Sequence, residues 1–131
     1  MTAEWRVLTA VFFGGIVGAL LRSGLVEIFG ASGESWPWAT FTANVLGAFL
    51  LGLFLTRIFR TLNVSPFAHP FVGAGFCGAL TTFSALQLEL LLMLEAGHLL
   101  LALAYSSTSI AAGLLAVSLE SSLVHQRRAL R

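Results

Sequence analysis

Gly73-Ala74-Gly75-Phe76-Cys77-Gly78-Ala79-Leu80-Thr81-Thr82-Phe83-Ser84 is the stretch on which the reading of this chain turns. Three glycines and three hydroxyl residues in twelve positions make poor continuous helix. Long apolar sequence flanks the stretch on both sides, as a membrane span requires. An interrupted helix is allowed in a membrane only where it is buried in protein or lines a cavity. The spacing therefore predicts a third span broken near its middle. A continuous helix with a small-residue packing face is the plainer alternative. A break frees backbone carbonyls for a cation and a helix N-terminus for an anion.

The chain of 131 residues is apolar throughout, with 57% hydrophobic and 10% charged residues and a mean hydropathy of +0.91. A soluble domain carries about 25% charged residues. The acids are six Glu, the bases seven Arg, and the net charge is +1. These figures exclude a soluble globular enzyme, a disordered chain and a basic nucleic-acid binder. One cysteine allows no internal disulfide, and no Cys/His cluster suggests zinc. Neither a nucleotide loop nor a Ser/His/Asp arrangement is visible, and no paired carboxylates stand near a histidine. His69, His98 and His125 fall in loops or near span ends, so no enzyme is expected.

The fold class that follows is an all-α integral membrane protein. It is read as one domain over 1–131 with four transmembrane helices, at about 5–29, 38–60, 69–95 and 99–124. The first segment lacks the basic n-region and short apolar core of a signal peptide and is read as a mature helix. Trp5, Trp36 and Trp38 stand at span ends, where an aromatic belt belongs, and Pro37 opens the second helix. Gly30–Gly33, Asn63–Pro66 and Ala96-Gly97 mark the turns. Four spans put the N-terminus, the second loop and the C-terminus on one side, with Arg6, Arg57, Arg60, Arg127, Arg128 and Arg131. The positive-inside rule places that side, and both termini, in the cytoplasm of a cell (inner) membrane.

Polar residues inside spans face the protein interior or a watery path. Gly14, Gly15 and Gly18 on the first helix allow close helix approach, and Arg22 follows them. Arg22 either binds an anion or snorkels to the interface. Thr40 and Asn44 share a face of the second helix, and the Asn44 amide suits an anion or an interhelical hydrogen bond. Glu89 has three readings: proton carrier, hydrogen-bond partner of a neighbouring helix, or ion-pair partner of Arg22. Tyr105-Ser-Ser-Thr-Ser109 covers every direction of the fourth helix, so some of its hydroxyls face inward and others bond their own backbone.

Together these residues resemble the Fluc (CrcB) fluoride channel family. Gly75-Phe-Cys-Gly78-Ala-Leu-Thr81-Thr82-Phe83-Ser84 is similar to its G-x-x-G-G-x-T-T-F-S signature. Gly14-Gly15-x-x-Gly18-Ala-x-x-Arg22 resembles its first-helix motif, and Trp36-Pro-Trp-x-Thr40-x-x-x-Asn44-x-x-Gly47 its second. The motifs occur in the family's order over nearly the whole chain. The resemblance implies a dimer of antiparallel subunits that exports fluoride passively through two pores flanking a structural Na+. It puts the sodium on the backbone carbonyls of Gly78 and Thr81. It puts the ion pathway along Asn44, Phe83 and Ser109, with Thr40 and Tyr105 lining or supporting it and Arg22 near a vestibule. Thr82, Ser84 and Glu89 are implied as supporting residues. A ring edge such as that of Phe83 is electropositive and can meet an anion.

Three positions depart from the family pattern. Leu86 stands where a second phenylalanine is expected, Gly113 where a serine is expected, and Ala79 where a glycine is frequent. A dual-topology homodimer should show little Arg bias, and this chain shows a strong one. One further reading is therefore the less active half of a heterodimeric fluoride channel, completed by an oppositely oriented paralogous chain. A proton-coupled small multidrug exporter is the alternative from another class. Such exporters depend on a membrane-embedded Glu in the first helix, where this chain has Arg22 and, near the end, Glu27. The partners expected are fluoride, the lipid bilayer and a second antiparallel subunit, with no nucleic acid.

Overall fold

A computed structural model describes residues 3–30, 35–55 and 65–129, with side chains to residue 119. Its secondary structure there is all helical. The elements are α1 (Ala3–Phe29), α2 (Trp38–Leu53), a π-helical segment (Pro70–Cys77) running into a short α3 (Gly78–Leu80), α4 (Phe83–Glu95) and α5 (Leu99–Ala129). Residues 56–60 of the expected second span lie outside the described residues, as do Arg57 and Arg60. Glu120, His125, Arg127 and Arg128 lie beyond the last described side chain, and Arg131 lies outside the described residues.

Three segments are long and apolar enough to cross a membrane: Ala3–Phe29, Pro70–Glu95 and Leu99–Leu119. α2 is apolar but shorter. At about 1.5 Å per residue, each long segment exceeds the roughly 30 Å of a hydrocarbon core. Their outward side chains are large and apolar: Leu20 is 67% exposed, Leu100 81% and Leu114 68%. Water would not tolerate such a surface, whereas lipid or a second subunit covers it without cost. The chain is a multi-pass membrane protein.

Local chemistry sets the helix ends. α1 stops at Gly30, whose φ of +78° suits glycine. α4 ends in a Schellman turn: the His98 N–H donates to the Met93 carbonyl (2.8 Å), the Gly97 N–H to Leu94 (3.0 Å), and Gly97 has φ +78°. Pro37 stands one position earlier than expected. It is the N-cap of α2 rather than its first residue, and its carbonyl accepts the Phe41 N–H at 3.0 Å.

The third span departs from plain α-helix in two ways. Its first half is π-helical, which glycine spacing alone did not foretell. Pro70 supplies no N–H, and Gly73 and Gly75 have weak helix preference. The packing of α1 selects the wider form. A Cβ on Gly14 would run into the Phe71 carbonyl and one on Gly18 into the Phe76 carbonyl. A Cβ on Gly75 would lie 2.6 Å from the Val11 carbonyl. The two glycines of α1 are four residues apart, one turn of α-helix. The two carbonyls they meet are five apart, one repeat of i→i+5 bonding. Only the π form puts Phe71 and Phe76 on the same face.

The second departure is the break itself. α3 ends at Leu80, Thr81 (φ −80°, ψ 151°) and Thr82 (φ −149°, ψ 114°) are extended, and helix resumes at Phe83. The interruption expected from the sequence is present, and the continuous-helix alternative is not. Thr81 is held against α2, where its methyl fills the space that a Cβ on Gly47 would occupy. Around the other end of the bundle, buried Met93, Ala102 and Tyr105 form a core onto which Trp36, Phe41, Leu86 and Leu90 pack. Trp36 therefore differs from the belt residues Trp5 (60% exposed) and Trp38 (53%): its ring lies edge-on against Tyr105, 5.3 Å between centroids.

Candidate functional site

The break is built by one side-chain amide. Asn44 Oδ1 accepts the Thr82 N–H at 2.7 Å, and Asn44 Nδ2 donates to the Thr82 carbonyl at 3.1 Å. The amide thus pairs with both polar groups of one extended residue, as a neighbouring strand would. In an unbroken helix the Thr82 N–H would go to the Gly78 carbonyl, so Asn44 diverts that donor. The Ala85 N–H, which would serve the Thr81 carbonyl, goes instead to Thr82 Oγ1 at 3.2 Å, an N-cap on α4. Thr82 Oγ1 also lies 3.2 Å from Ser84 Oγ. The carbonyls of Gly78 and Thr81, which the family resemblance implied for sodium, are among those that the break leaves without their helical donors. Thr81 also donates its own hydroxyl to the Cys77 carbonyl at 2.9 Å.

Asn44, Gly78, Thr81, Thr82 and Phe83 line a cleft of about 420 Å³, together with Cys77 and apolar residues of α2 and the π-helical segment. Its chemistry has two signs. The C-terminal end of α3 presents carbonyl oxygens, and the N-terminal end of the thirteen-residue α4 presents N–H groups. An amide nitrogen carries two hydrogens, and Thr82 takes one of Asn44's, so the second is available to a ligand. Phe83 is 71% exposed, its ring projecting from the lip of the break.

A second polar group lies two turns of α4 away. Glu89 accepts the Thr40 hydroxyl at 2.6 Å on Oε1 and the Tyr105 hydroxyl at 2.7 Å on Oε2. Of the three readings of Glu89, the structure shows the hydrogen bond between helices: one carboxylate joins α2, α4 and α5. Thr40 is 8% exposed and Tyr105 fully buried. Replacing Tyr105 by Phe is expected to remove one of the donors to the Glu89 carboxylate and lower unfolding free energy by about 1–3 kcal/mol. Thr40→Val acts on the same carboxylate, so the two substitutions should couple. Strict additivity in detergent unfolding would show that Glu89 does not link them.

The remaining residues separate. Ser106 and Ser107 bond the carbonyls of their own helix, as expected for some of the α5 hydroxyls. Ser109, one turn beyond Tyr105, keeps a buried Oγ without a partner among the described residues. Arg22 is half-buried on α1 and joins neither group of hydrogen bonds. A Cβ on Gly113 would meet nothing within 4 Å, so the serine expected there has room. Glu27, the acid an exporter would need embedded, is exposed near the end of α1. Sequence reasoning placed Trp36 in the aromatic belt and missed its contact with Tyr105, which lies 69 residues on in the chain and leaves no local signal.

A discontinuous helix with opposed half-helix ends and a clamping amide at a largely apolar cleft is the build of an ion-handling membrane protein. The description CrcB-like protein, Camphor Resistance (CrcB), covers residues 9–120, and the chain belongs to that family. The fluoride-specific ion channel FluC 1 of Mycolicibacterium paratuberculosis is 51% identical over 128 residues, 98% of this chain and 97% of that one. Its namesake in Mycobacterium bovis is 50% identical over 125 residues, 95% of each chain. The FluC 1 of Desulfitobacterium hafniense is 39% identical over 97 residues, 74% of this chain and 84% of that one. These relatives are named as channels and not as enzymes, in agreement with the expectation for this chain. Family membership removes the multidrug exporter.

Proposed function

We propose that this protein is a fluoride channel of the cell (inner) membrane that lets fluoride leave the cytoplasm down its gradient. The observation that carries the reading is the Asn44–Thr82 clamp. It holds an uncommitted amide hydrogen and the N-terminus of α4 at one cleft, where they can replace the water around a small anion. The names of relatives about 50% identical over nearly the whole chain support the same ion.

In this reading the working unit is a dimer of antiparallel subunits. Fluoride moves along Asn44, Phe83 and Ser109, with Thr40 and Tyr105 lining or supporting the path, Arg22 near a vestibule, and Thr82, Ser84 and Glu89 in support. A structural sodium ion fits the carbonyls of Gly78 and Thr81, hard oxygen donors whose helical partners have been diverted. When bound, it supplies positive charge at the centre of the dimer. Both termini face the cytoplasm.

The strong Arg bias favours a second reading of the assembly, in which an oppositely oriented paralogous chain completes the pores. Leu86 does not itself demand such a partner, because it packs onto the subunit's own Met93–Ala102–Tyr105 core.

The test is efflux from liposomes that hold the purified chain alone and are loaded with fluoride. Membrane potential is clamped with valinomycin and release is followed by a fluoride electrode. Rapid fluoride release with no matching chloride release is the expected result for a self-sufficient channel. Release that appears only after co-expression of an oppositely oriented homologue would establish the heterodimer. Absence of release in both cases would overturn the channel reading.

A further inference from the structure

Among the described residues, two buried side-chain polar atoms have no hydrogen-bond partner: Trp36 Nε1 and Ser109 Oγ. They flank the same residue. The Trp36 ring lies edge-on to the ring of Tyr105 (interplanar angle 81°), and Ser109 is one α-helical turn from Tyr105 on α5. Tyr105 itself has no donor to spare, since its hydroxyl hydrogen is committed to Glu89, as is that of Thr40. At this level of the bundle, the two groups tied to Glu89 cannot receive an anion without leaving the carboxylate. The donors left over are Ser109 and Trp36.

An indole N–H donates only and cannot ligate a cation. Burial without a partner is costly for such a group, so its proper occupant is a hydrogen-bond acceptor. Trp36 lies just before α2, the helix that carries Thr40 and Asn44, and its carbonyl accepts the Trp38 N–H at 2.9 Å, so the indole stands at the end of α2 away from the break. Around the indole, Phe41 and Tyr105 stand in edge-to-face contact, 5.7 and 5.3 Å between centroids, and contribute no negative charge.

Resting on the fluoride-channel reading, we propose that the Trp36 indole N–H is a further anion-binding donor. It receives fluoride beyond the Glu89 cluster at the end of the pathway nearest the start of α2. Trp36 is thus a binding residue of the route rather than a lipid-facing belt residue.

Two measurements test this. Trp36→Phe keeps the ring packing against Tyr105 and removes the N–H. Its fluoride efflux rate in liposomes is expected to fall about tenfold, with an unchanged elution profile in detergent. Efflux within twofold of wild type overturns the proposal. The second measurement depends neither on transport nor on the Trp36→Phe variant. In Trp5→Phe/Trp38→Phe protein, Trp36 is the sole indole. Its emission is expected to move to longer wavelength with added sodium fluoride, in a saturable manner, and to stay fixed with sodium chloride. No fluoride-dependent change, or an equal change with chloride, also overturns it. If wild-type protein passes no fluoride while the emission titrates with fluoride, the channel reading fails and the anion site stands.

Discussion

Asn44→Leu is expected to abolish fluoride release, lowering its rate at least about 100-fold. Asn44 occupies the centre of the break because its amide satisfies the N–H and the carbonyl of Thr82 together. Leucine has the same number of side-chain heavy atoms branching at the same carbon and neither polar atom. Two backbone groups beside the cleft would then lose their partners, at about 1–3 kcal/mol each. The nearest relief is for the Thr82 N–H to return to the Gly78 carbonyl, which closes the helix and covers an oxygen that the break leaves open. Each 1.4 kcal/mol is a factor of ten, so two lost pairings are enough for the predicted loss. Asn44→Asp separates the contributions. It keeps an acceptor for the Thr82 N–H, loses the donor to the Thr82 carbonyl, and sets a negative charge beside the anion's path. It should retain more folded protein than the leucine variant and still pass little fluoride. Fluoride release from Asn44→Asp at the wild-type rate would show that the amide hydrogen plays no part in conduction.

Gly18→Val is expected to prevent accumulation of folded protein altogether. The new side chain would meet the backbone at the Phe76 carbonyl and the Leu80 nitrogen, neither of which can swing aside. Overpacking of rigid neighbours costs about 1–3 kcal/mol for a single group, and a branched side chain adds two more carbons. Gly18→Ala should be a milder form of the same defect, with a lowered unfolding temperature in detergent. Gly15 is the internal control: a Cβ there meets nothing within 4 Å, so Gly15→Ala should fold like wild type. Equal unfolding temperatures for Gly18→Ala and Gly15→Ala would show that α1 does not pack on the third span as described.

The sequence made some of this legible and hid the rest for physical reasons. The break could be read because glycine and threonine in an apolar run oppose helix wherever they stand, and Thr81 and Thr82 are the residues found extended. Asn44 could be picked out because a polar amide in a span must find a partner. Whether that partner was an ion or a helix could not be read, and the structure shows the backbone of Thr82 held with one hydrogen to spare. Glu89 was equally undecided. Its partners lie 49 and 16 residues away in the chain, and no local pattern reports such distances. Trp36 was misread because tryptophan near a span end ordinarily marks the lipid interface. The π-helical geometry was hidden for a different reason: it arises from α1 pressing on the segment, so it belongs to the pair of helices and not to residues 70–77 alone.

That pairing bears on how chain length can vary among proteins of this build. The run from Phe71 to Phe76 holds one residue more than an α-helical turn between the same two contacts. Remove one residue inside it, and two carbonyls four apart in ordinary α-helix would still face Gly14 and Gly18. The third span therefore carries a removable residue whose loss leaves the helices before and after it in place. Alignments of relatives should be read with this in mind: a one-residue gap between these phenylalanines is a local change of helical winding and leaves the register of the Thr81–Thr82 break intact.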